Sequence, residues 1–245
     1  MSTNAPTSRR VRRTAEHPGR RPAVRAEGIA LLAAIVALMW VLEVVNSLDH
    51  NQLAQDGIHP RDLARVWGIL TSPFLHVSFA HLISNTVPFV FMGLIIALRG
   101  AARLALVSLI VILVGGLGTW LIAPAHSNTI GASGVVFGFA TYLMTRGIFN
   151  RSLLESLVGA LVVVVWGGVL LSSLVPHYGV SWQDHACGAL GGILAAWLLA
   201  RRRAPRGPER GPGPRGRDPE PSSRATHAGV LAGRAAVRAG RALAK

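Results

Sequence analysis

Four polar residues that interrupt apolar segments have the types and spacing for chemistry: His81, Asn85, Ser133 and His185. His81 and Asn85 are four residues apart, which places both side chains on one face of a helix. Ser133 lies just inside the start of one apolar segment, and His185 opens another. Because an apolar segment rarely carries polar side chains without a use for them, each of the four is a candidate functional residue.

A serine close to a histidine is the minimum set for acyl transfer. The imidazole accepts the hydroxyl proton, the oxygen attacks a carbonyl carbon, and the imidazolium protonates the leaving amine. A serine at a helix start also lies among free N–H groups, which favour a developing oxyanion, and Asn85 and His81 could donate to the same oxygen. Taken singly, Ser133 could be a small packing residue and His185 an interfacial histidine, so only their combination favours catalysis.

Glycines accompany both candidates. Gly131 and Gly134 flank Ser133, while Gly188 and Gly192 follow His185 three and seven residues later, on the same helical face. Small residues at such positions let two helices approach closely. We therefore predict that these glycines mark close helix packing at the site.

Two other kinds of site fit the residues less well. A metal site made by His76, His81 and His185 would lack a carboxylate or a second cysteine at ligand spacing, since Cys187 is the only cysteine. A hydrolase elbow requires Gly-x-Ser-x-Gly after a strand, but Val135 replaces its second glycine. The sequence therefore predicts neither a metal nor a cofactor.

The composition indicates which elements must position these residues. The chain is 51% hydrophobic and only 15% charged, with a mean hydropathy of +0.43, which is typical of a membrane protein. Apolar segments near the roughly 20 residues that cross a bilayer occur at 28–48, 79–98, 104–122, 131–148, 153–174 and 183–200. We predict an all-α, polytopic bundle of six transmembrane helices. The fourth and sixth are rich in Gly and Ala, which is typical of helices inside a bundle.

The basic residues predict the orientation of the bundle. The net charge of +14 could suggest a nucleic-acid partner, but the Lys and Arg residues lie almost wholly outside the apolar segments. All but Arg61 and Arg65 lie before residue 27, after residue 200, or in the loops 99–103 and 146–151. The positive-inside rule therefore predicts cytoplasmic termini and an outer position for Ser133. We expect the protein to lie in the plasma membrane.

Three segments outside the spans have distinct compositions. The tails 1–27 and 201–245 are basic, and the second is also rich in Pro and Gly, so both are predicted to be disordered. The last residues of the chain could form a basic helical face against anionic lipid or remain a featureless charged tail. The connection 49–78 carries apolar residues around Trp67 and is predicted to lie in the membrane interface.

The motifs in this order resemble those of the rhomboid intramembrane serine proteases of the bacterial, six-span type. The resemblance covers residues 28–200. It is carried by His76-x4-His81-x3-Asn85, Gly131-x-Ser133-Gly134 and His185-x2-Gly188-x3-Gly192.

The resemblance implies a role for each matching residue. Ser133 would be the nucleophile and His185 the general base of a dyad without a carboxylate. Asn85, His81 and the Ser133 backbone N–H would form the oxyanion hole. Phe137, one helical turn below Ser133, falls where the family often has an aromatic ring that stacks on the catalytic histidine; plain core packing is the alternative.

The resemblance also implies roles outside the dyad, with one departure from the family pattern. A Trp-Arg pair is common in the family's first loop, but here Gly68 follows Trp67. The fifth span and the 175–182 loop would form a substrate gate and a cap, with Trp166 as a candidate gate residue.

The function implied is hydrolysis of peptide bonds in or near transmembrane segments of other membrane proteins, within the lipid bilayer and without a cofactor. A helical substrate would have to unwind locally, which favours small and helix-weakening residues at the cleavage site. One alternative is an inactive relative that binds membrane clients, although Ser133 and His185 are both present. The other is a small transporter or channel lined by His81, Asn85 and Glu43. The sequence does not indicate an oligomeric state.

Overall fold

A computed structural model gives the fold of residues 20–176 and 179–200. Within these residues the chain forms helices, short 3-10 turns and one isolated β-bridge, with no strand, so the all-α prediction is confirmed for them. The helices are α1 (Arg20–Leu48), α2 (Gly68–Thr71), α3 (Phe79–Ala97), α4 (Ala101–Ile122), α5 (Ser133–Asn150), α6 (Leu153–Ser172) and α7 (Trp182–Leu198).

The six long helices coincide with the six predicted apolar segments, with ends that differ by a few residues. The largest difference is at α1, which begins at Arg20 and not at residue 28, so part of the predicted N-terminal tail is helical. The rest of that tail, residues 1–19, and the predicted C-terminal tail, 201–245, lie outside the described residues.

Four of the long helices in the described part of the chain are long and apolar enough to cross a membrane. They span Pro22–Leu48, Phe79–Ala97, Ala101–Ile122 and Leu153–Ser172. Large apolar side chains on them, such as Val41, Leu109 and Val164, are exposed, as expected for contact with lipid. The chain is therefore a multi-pass membrane protein. The remaining two long helices, α5 and α7, fall outside this set. Glycine and polar residues lower the hydropathy of α5, and α7 has only 17 residues.

The helix α5 lies at the centre of the bundle and packs against α3, α4, α6 and α7. Its buried side chains include Phe139, Ala140, Tyr142 and Leu143, which belong to the main apolar core. The helix α6, in contrast, packs mainly against α5. Protein, and not lipid, thus surrounds most of α5.

The backbones of α5 and α7 are in direct contact. A side chain at Gly188 would overlap the carbonyl group of Gly134, and one at Gly192 would overlap the carbonyl oxygen of Gly138. The hydroxyl of Thr141 adds a hydrogen bond to the Ala189 carbonyl at 2.7 Å, further along the same pair of helices. Only glycine allows two helices to approach this closely.

The connection between α1 and α3 is fastened to the bundle by hydrogen bonds. Ile58 and Thr129 exchange two backbone bonds of 2.9 and 3.1 Å. The guanidinium of Arg61 donates to the carbonyls of Leu121 and Ala123 at 2.9 Å each. Because the last carbonyls of a helix have no partner within it, Arg61 satisfies acceptors at the end of α4.

The backbone of this connection explains why glycine follows Trp67. A Cβ atom at Gly68 would lie 2.8 Å from the carbonyl carbon of Gly57 and nearer still to its oxygen, so an arginine would force the two segments apart. Leu63, Trp67 and Leu70 are exposed. An exposed apolar face of this kind suits the membrane interface, and that location remains a prediction.

An ionic cluster joins three elements at the end of α5 opposite Ser133. The Oε1 atom of Glu155 lies 2.6 Å from Nη2 of Arg99 and 3.1 Å from Nη2 of Arg146, and Asn150 donates to Oε2 at 2.6 Å. The prediction that Arg146 belongs to a loop is wrong: it lies within α5, and its side chain is buried. Its charge is accommodated there because the Glu155 carboxylate is within reach.

We expect Glu155→Ala to destabilise the bundle by about 3–5 kcal/mol, because it leaves the buried Arg146 guanidinium without its carboxylate. Thermal unfolding of the purified protein in detergent would show a lower midpoint. Glu27→Ala, which removes an exposed carboxylate from α1, is the control and should leave the midpoint unchanged. Equal midpoints for the two variants would contradict a stabilising role for the cluster.

Candidate active site

A cavity of about 310 Å³ lies among α3, α5, α6 and α7 and contains all four chemical candidates. Its lining residues are His81, Ser84, Asn85, Pro88, Thr129, Ile130, Ser133, Val136, Phe137, Trp166, Val169, Leu170, Ser173, Gly179, Val180, Ser181 and His185. The structure therefore brings together residues that are up to about a hundred positions apart in the sequence.

Ser133 is the first residue of α5, and a sharp turn at Gly131 delivers the chain to it. Gly131 has φ of +121°, a conformation that favours glycine, and a Cβ there would lie 2.8 Å from Cε1 of His81. The Gly131 N–H donates to the Ser72 carbonyl at 2.9 Å, which holds the turn. At the start of a helix, the Ser133 N–H has no carbonyl one turn earlier in the helix to bind.

His185 lies in the first turn of α7, whose start is capped by the hydroxyl of Ser181. Its imidazole stacks on the ring of Phe137, with centroids 4.3 Å apart and planes within 8°. Its Nδ1 atom lies 2.8 Å from the backbone carbonyl oxygen of Ser173, at the end of α6. A carbonyl can only accept, so Nδ1 carries the proton in this bond and Nε2 keeps its lone pair in the neutral ring.

His81 and Asn85 lie on the first turns of α3, beside the segment that leads into Ser133. A Cβ at Gly131 would lie 3.0 Å from Nε2 of His81 and 3.5 Å from Nδ2 of Asn85. Asn85 is buried, and its Nδ2 amide has no acceptor among the residues that the structure describes. A buried donor without an acceptor is costly, so this amide is suited to receive an oxygen from a bound molecule.

A second cavity, of about 540 Å³, adjoins the first and is lined by the connections at the same end of the bundle. Both cavities include His81, Thr129, Ile130 and Ser181 among their lining residues. On the lining of the first cavity, Trp166 of α6 faces Phe91 of α3, with ring centroids 6.4 Å apart. The assignment of Trp166 as a gate residue stays a prediction.

His76 belongs to the sequence motif but supports the site from behind. Its Nε2 accepts the Ala132 N–H at 3.4 Å, directly before Ser133, and its ring meets that of His81 edge to face at 5.1 Å. Its carbonyl accepts a bond of 3.1 Å from the Asn46 side chain of α1. His76 is 1% exposed, so it is a structural residue at the base of the turn.

Sequence reasoning missed two of these contacts. Asn46 ties α1 to the His76 segment and also accepts the Ala54 N–H at 3.0 Å. The sequence signal for Asn46 was its polar side chain, which lies near Glu43 in an apolar helix where polar residues are not expected. The Ser173 carbonyl gave no signal, because every residue carries a carbonyl. Among the described residues, no three His, Cys, Asp or Glu side chains are grouped as metal ligands.

We expect the stability of the protein to fall as the pH drops from about 6.5 toward about 4. Burial, with a smaller contribution from His81, lowers the pKa of His76 to about 4 from the value of 6.5 for an exposed imidazole. The unfolded chain therefore binds a proton in a range where the folded protein does not, so acid favours unfolding.

His76→Gln should flatten this pH dependence, because an amide oxygen can accept the Ala132 N–H without titrating. Unfolding midpoints in detergent, measured from about pH 7 to about pH 4, test the prediction. His50→Asn, at an exposed position, is the control. If the pH dependence of the His76→Gln variant matches that of the parent protein, another group is responsible.

Comparison with known proteins identifies the family of this chain. A family model described as the Rhomboid domain matches residues 63–202. The chain is 36% identical over 181 residues to the uncharacterized protein Rv1337 of Mycobacterium tuberculosis, covering 71% of this chain and 75% of that protein. It is 28% identical over 183 residues to the rhomboid protease GluP of Bacillus subtilis, covering 71% of this chain and 35% of GluP. It is also 30% identical over 151 residues to Rhomboid-like protein 11, chloroplastic, of Arabidopsis thaliana, covering 54% of this chain and 52% of that protein. The predicted resemblance to this family is thus confirmed, and the chain belongs to the rhomboid family.

Proposed function

We propose that this protein is an intramembrane serine endopeptidase whose catalytic dyad is Ser133 and His185. The observation that carries the proposal is the orientation of His185, which is set by the Phe137 ring on one face and the Ser173 carbonyl at Nδ1. Both dyad residues line one cavity. The similarity to GluP, which is named a rhomboid protease, supports the same activity.

The reaction follows from the protonation state of the imidazole. Nε2 of His185 accepts the Ser133 hydroxyl proton while Oγ attacks the carbonyl carbon of the substrate, which gives a tetrahedral oxyanion. The imidazolium then protonates the leaving amine as the C–N bond breaks, leaving an acyl-enzyme. Water attacks the acyl group, with His185 again acting as the base, and the carboxylate product and free serine result. The Ser173 carbonyl stabilises the imidazolium by accepting a hydrogen bond from its Nδ1–H group throughout.

The donors for the oxyanion come from two helices. Asn85 supplies its buried amide from α3, and the Ser133 backbone N–H supplies the first free donor of α5. His81 lies beside the same turn and completes the set. Positive charge at the α5 N-terminus favours the oxyanion further.

We place this site in a bundle that crosses the plasma membrane six times, with both termini in the cytoplasm. The helix α5 can cross because other helices surround it, and α7 can cross because it packs along α4 and α5. The distribution of Lys and Arg then puts the dyad near the outer surface. Hydrolysis requires water, and the adjoining outer cavity of about 540 Å³ provides room for it.

The substrates are transmembrane segments of other membrane proteins. A helical peptide bond has its carbonyl shielded by hydrogen bonding, so the segment must unwind before Ser133 can attack. Small and helix-weakening residues near the cleavage site are therefore preferred. Access runs past α6, which packs mainly against α5 and places Trp166 on the cavity lining.

Replacement of either dyad residue should abolish activity. The purified protein is expected to react with a fluorophosphonate probe and to cleave a model transmembrane substrate, and both signals should vanish in Ser133→Ala and His185→Ala. Ser84→Ala, which removes a different hydroxyl from the cavity lining, is the control and should remain active. Cleavage that survives Ser133→Ala would refute the proposal, and substrate binding by an inert parent protein would instead favour a client-binding role.

Asn85→Ala should lower kcat by roughly 10²-fold, because it removes one donor from the oxyanion. Initial rates in detergent and in vesicles measure the effect, with Asn128→Ala, in the outer cavity, as the control. The labelling rate with the fluorophosphonate should fall as well, since the probe also develops an oxyanion. An unchanged kcat would remove Asn85 from the oxyanion hole.

A further inference from the structure

A buried carboxylate next to His185 in the sequence contacts the chain neighbour of Ser133, and the proposed mechanism does not use it. Asp184 directly precedes His185 in α7 and is only 8% exposed. Its carboxylate rests on Gly134, the residue that directly follows Ser133 in α5. The Asp184 side chain thus connects the chain neighbour of His185 with the chain neighbour of Ser133.

Contacts from two other helices hold the Asp184 carboxylate in place. The hydroxyl of Thr119, which is fully buried in α4, lies 3.3 Å from Oδ1 and shares its proton with the Gly115 carbonyl at 2.8 Å. The backbone N–H of Gly134 is the donor from α5. The Asp184 N–H itself donates to Ser181 at 3.4 Å, which fixes the start of α7.

The space around Gly134 explains why a carboxylate fits. A Cβ atom at Gly134 would lie 2.6 Å from Oδ1 of Asp184 and 2.7 Å from its Cγ, so the side chain occupies the room that a larger residue would need. A first-turn N–H has no partner within its own helix, and the carboxylate supplies one. That leaves the Ser133 N–H, one residue earlier, for the oxyanion.

We propose that Asp184 is a positioning residue that fixes the start of α5 against the start of α7 and so sets the distance between Ser133 and His185. This inference rests on the proposed function. A shift of the Asp184–Gly134 contact moves both dyad residues, because His185 follows Asp184 in the chain and Ser133 precedes Gly134. Attack geometry is sensitive to displacements of this kind, because a misplacement of about 1 Å can cost about 10²-fold in rate.

The test compares two ways of breaking this contact with one matched control. Asp184→Ala removes the acceptor, Asp184→Asn keeps an acceptor of the same shape, and Thr119→Val removes the donor from α4. The control is Thr141→Val, which breaks the 2.7 Å bond to the Ala189 carbonyl between the same two helices, away from the dyad. For each variant, kcat and KM are measured with a model transmembrane substrate, together with the unfolding midpoint.

Asp184→Ala should lower kcat about tenfold or more at unchanged KM, and Asp184→Asn should restore kcat to within about threefold of the parent. Thr119→Val should lower kcat in the same direction. Thr141→Val should lower the unfolding midpoint but leave kcat unchanged, which separates positioning from general stability. If Asp184→Ala does not fold, the Asn and Thr119 variants carry the test.

A parent-like kcat in Asp184→Ala or in Thr119→Val would overturn the proposal. An equal loss of kcat in Thr141→Val would overturn it too, since any loosening of the helix pair would then suffice. Failure of Asp184→Asn to restore kcat would show that the negative charge acts, and not the position. The proposed function fails in a different way, because the parent protein itself would then neither react with the probe nor cleave.

Discussion

The close contact between the backbones of α5 and α7 is the constraint on which the site depends. Gly134 meets Gly188, and Gly138 meets Gly192, with no room for a Cβ atom between them. Ser133 and His185 lie at the starts of these two helices, so the distance between them is inherited from the contact. A larger residue at Gly188 or Gly192 would separate the helices and the two proposed catalytic groups together.

The position of α5 follows from what a bilayer tolerates. Polar side chains and exposed glycine backbone are costly against lipid tails, so a helix that carries them must be surrounded by protein. Here α5 has neighbours on four helices, and its buried Arg146 is matched by Glu155 of α6. The apolar helices α1, α4 and α6 expose their large side chains instead. Low hydropathy in α5 is therefore a consequence of its central place.

The helices could be predicted from sequence because each requires only a continuous apolar run. The four site residues could be predicted because polar side chains inside such runs are rare. Local patterns did not reveal the contacts made between distant segments. Arg146 was assigned to a loop because its partner, Glu155, is apparent only when α5 and α6 are packed together. Asp184 was not singled out beside His185, since its partners Thr119 and Gly134 lie on two other helices. Gly68 departs from the family pattern because a side chain there would overlap the carbonyl of Gly57. That contact arises only in the folded chain.

The bond between Nδ1 of His185 and the Ser173 carbonyl limits what mutagenesis can detect at this site. Its acceptor is part of the peptide backbone, so replacing the Ser173 side chain leaves it in place. An alanine scan would therefore detect the stacked ring of Phe137 but not this carbonyl. That acceptor also belongs to the end of α6, so a chain whose α6 swings outward loses the bond without any change of residue. The residue type at position 173 therefore does not indicate whether this contact forms. The position of the Ser173 peptide plane determines it.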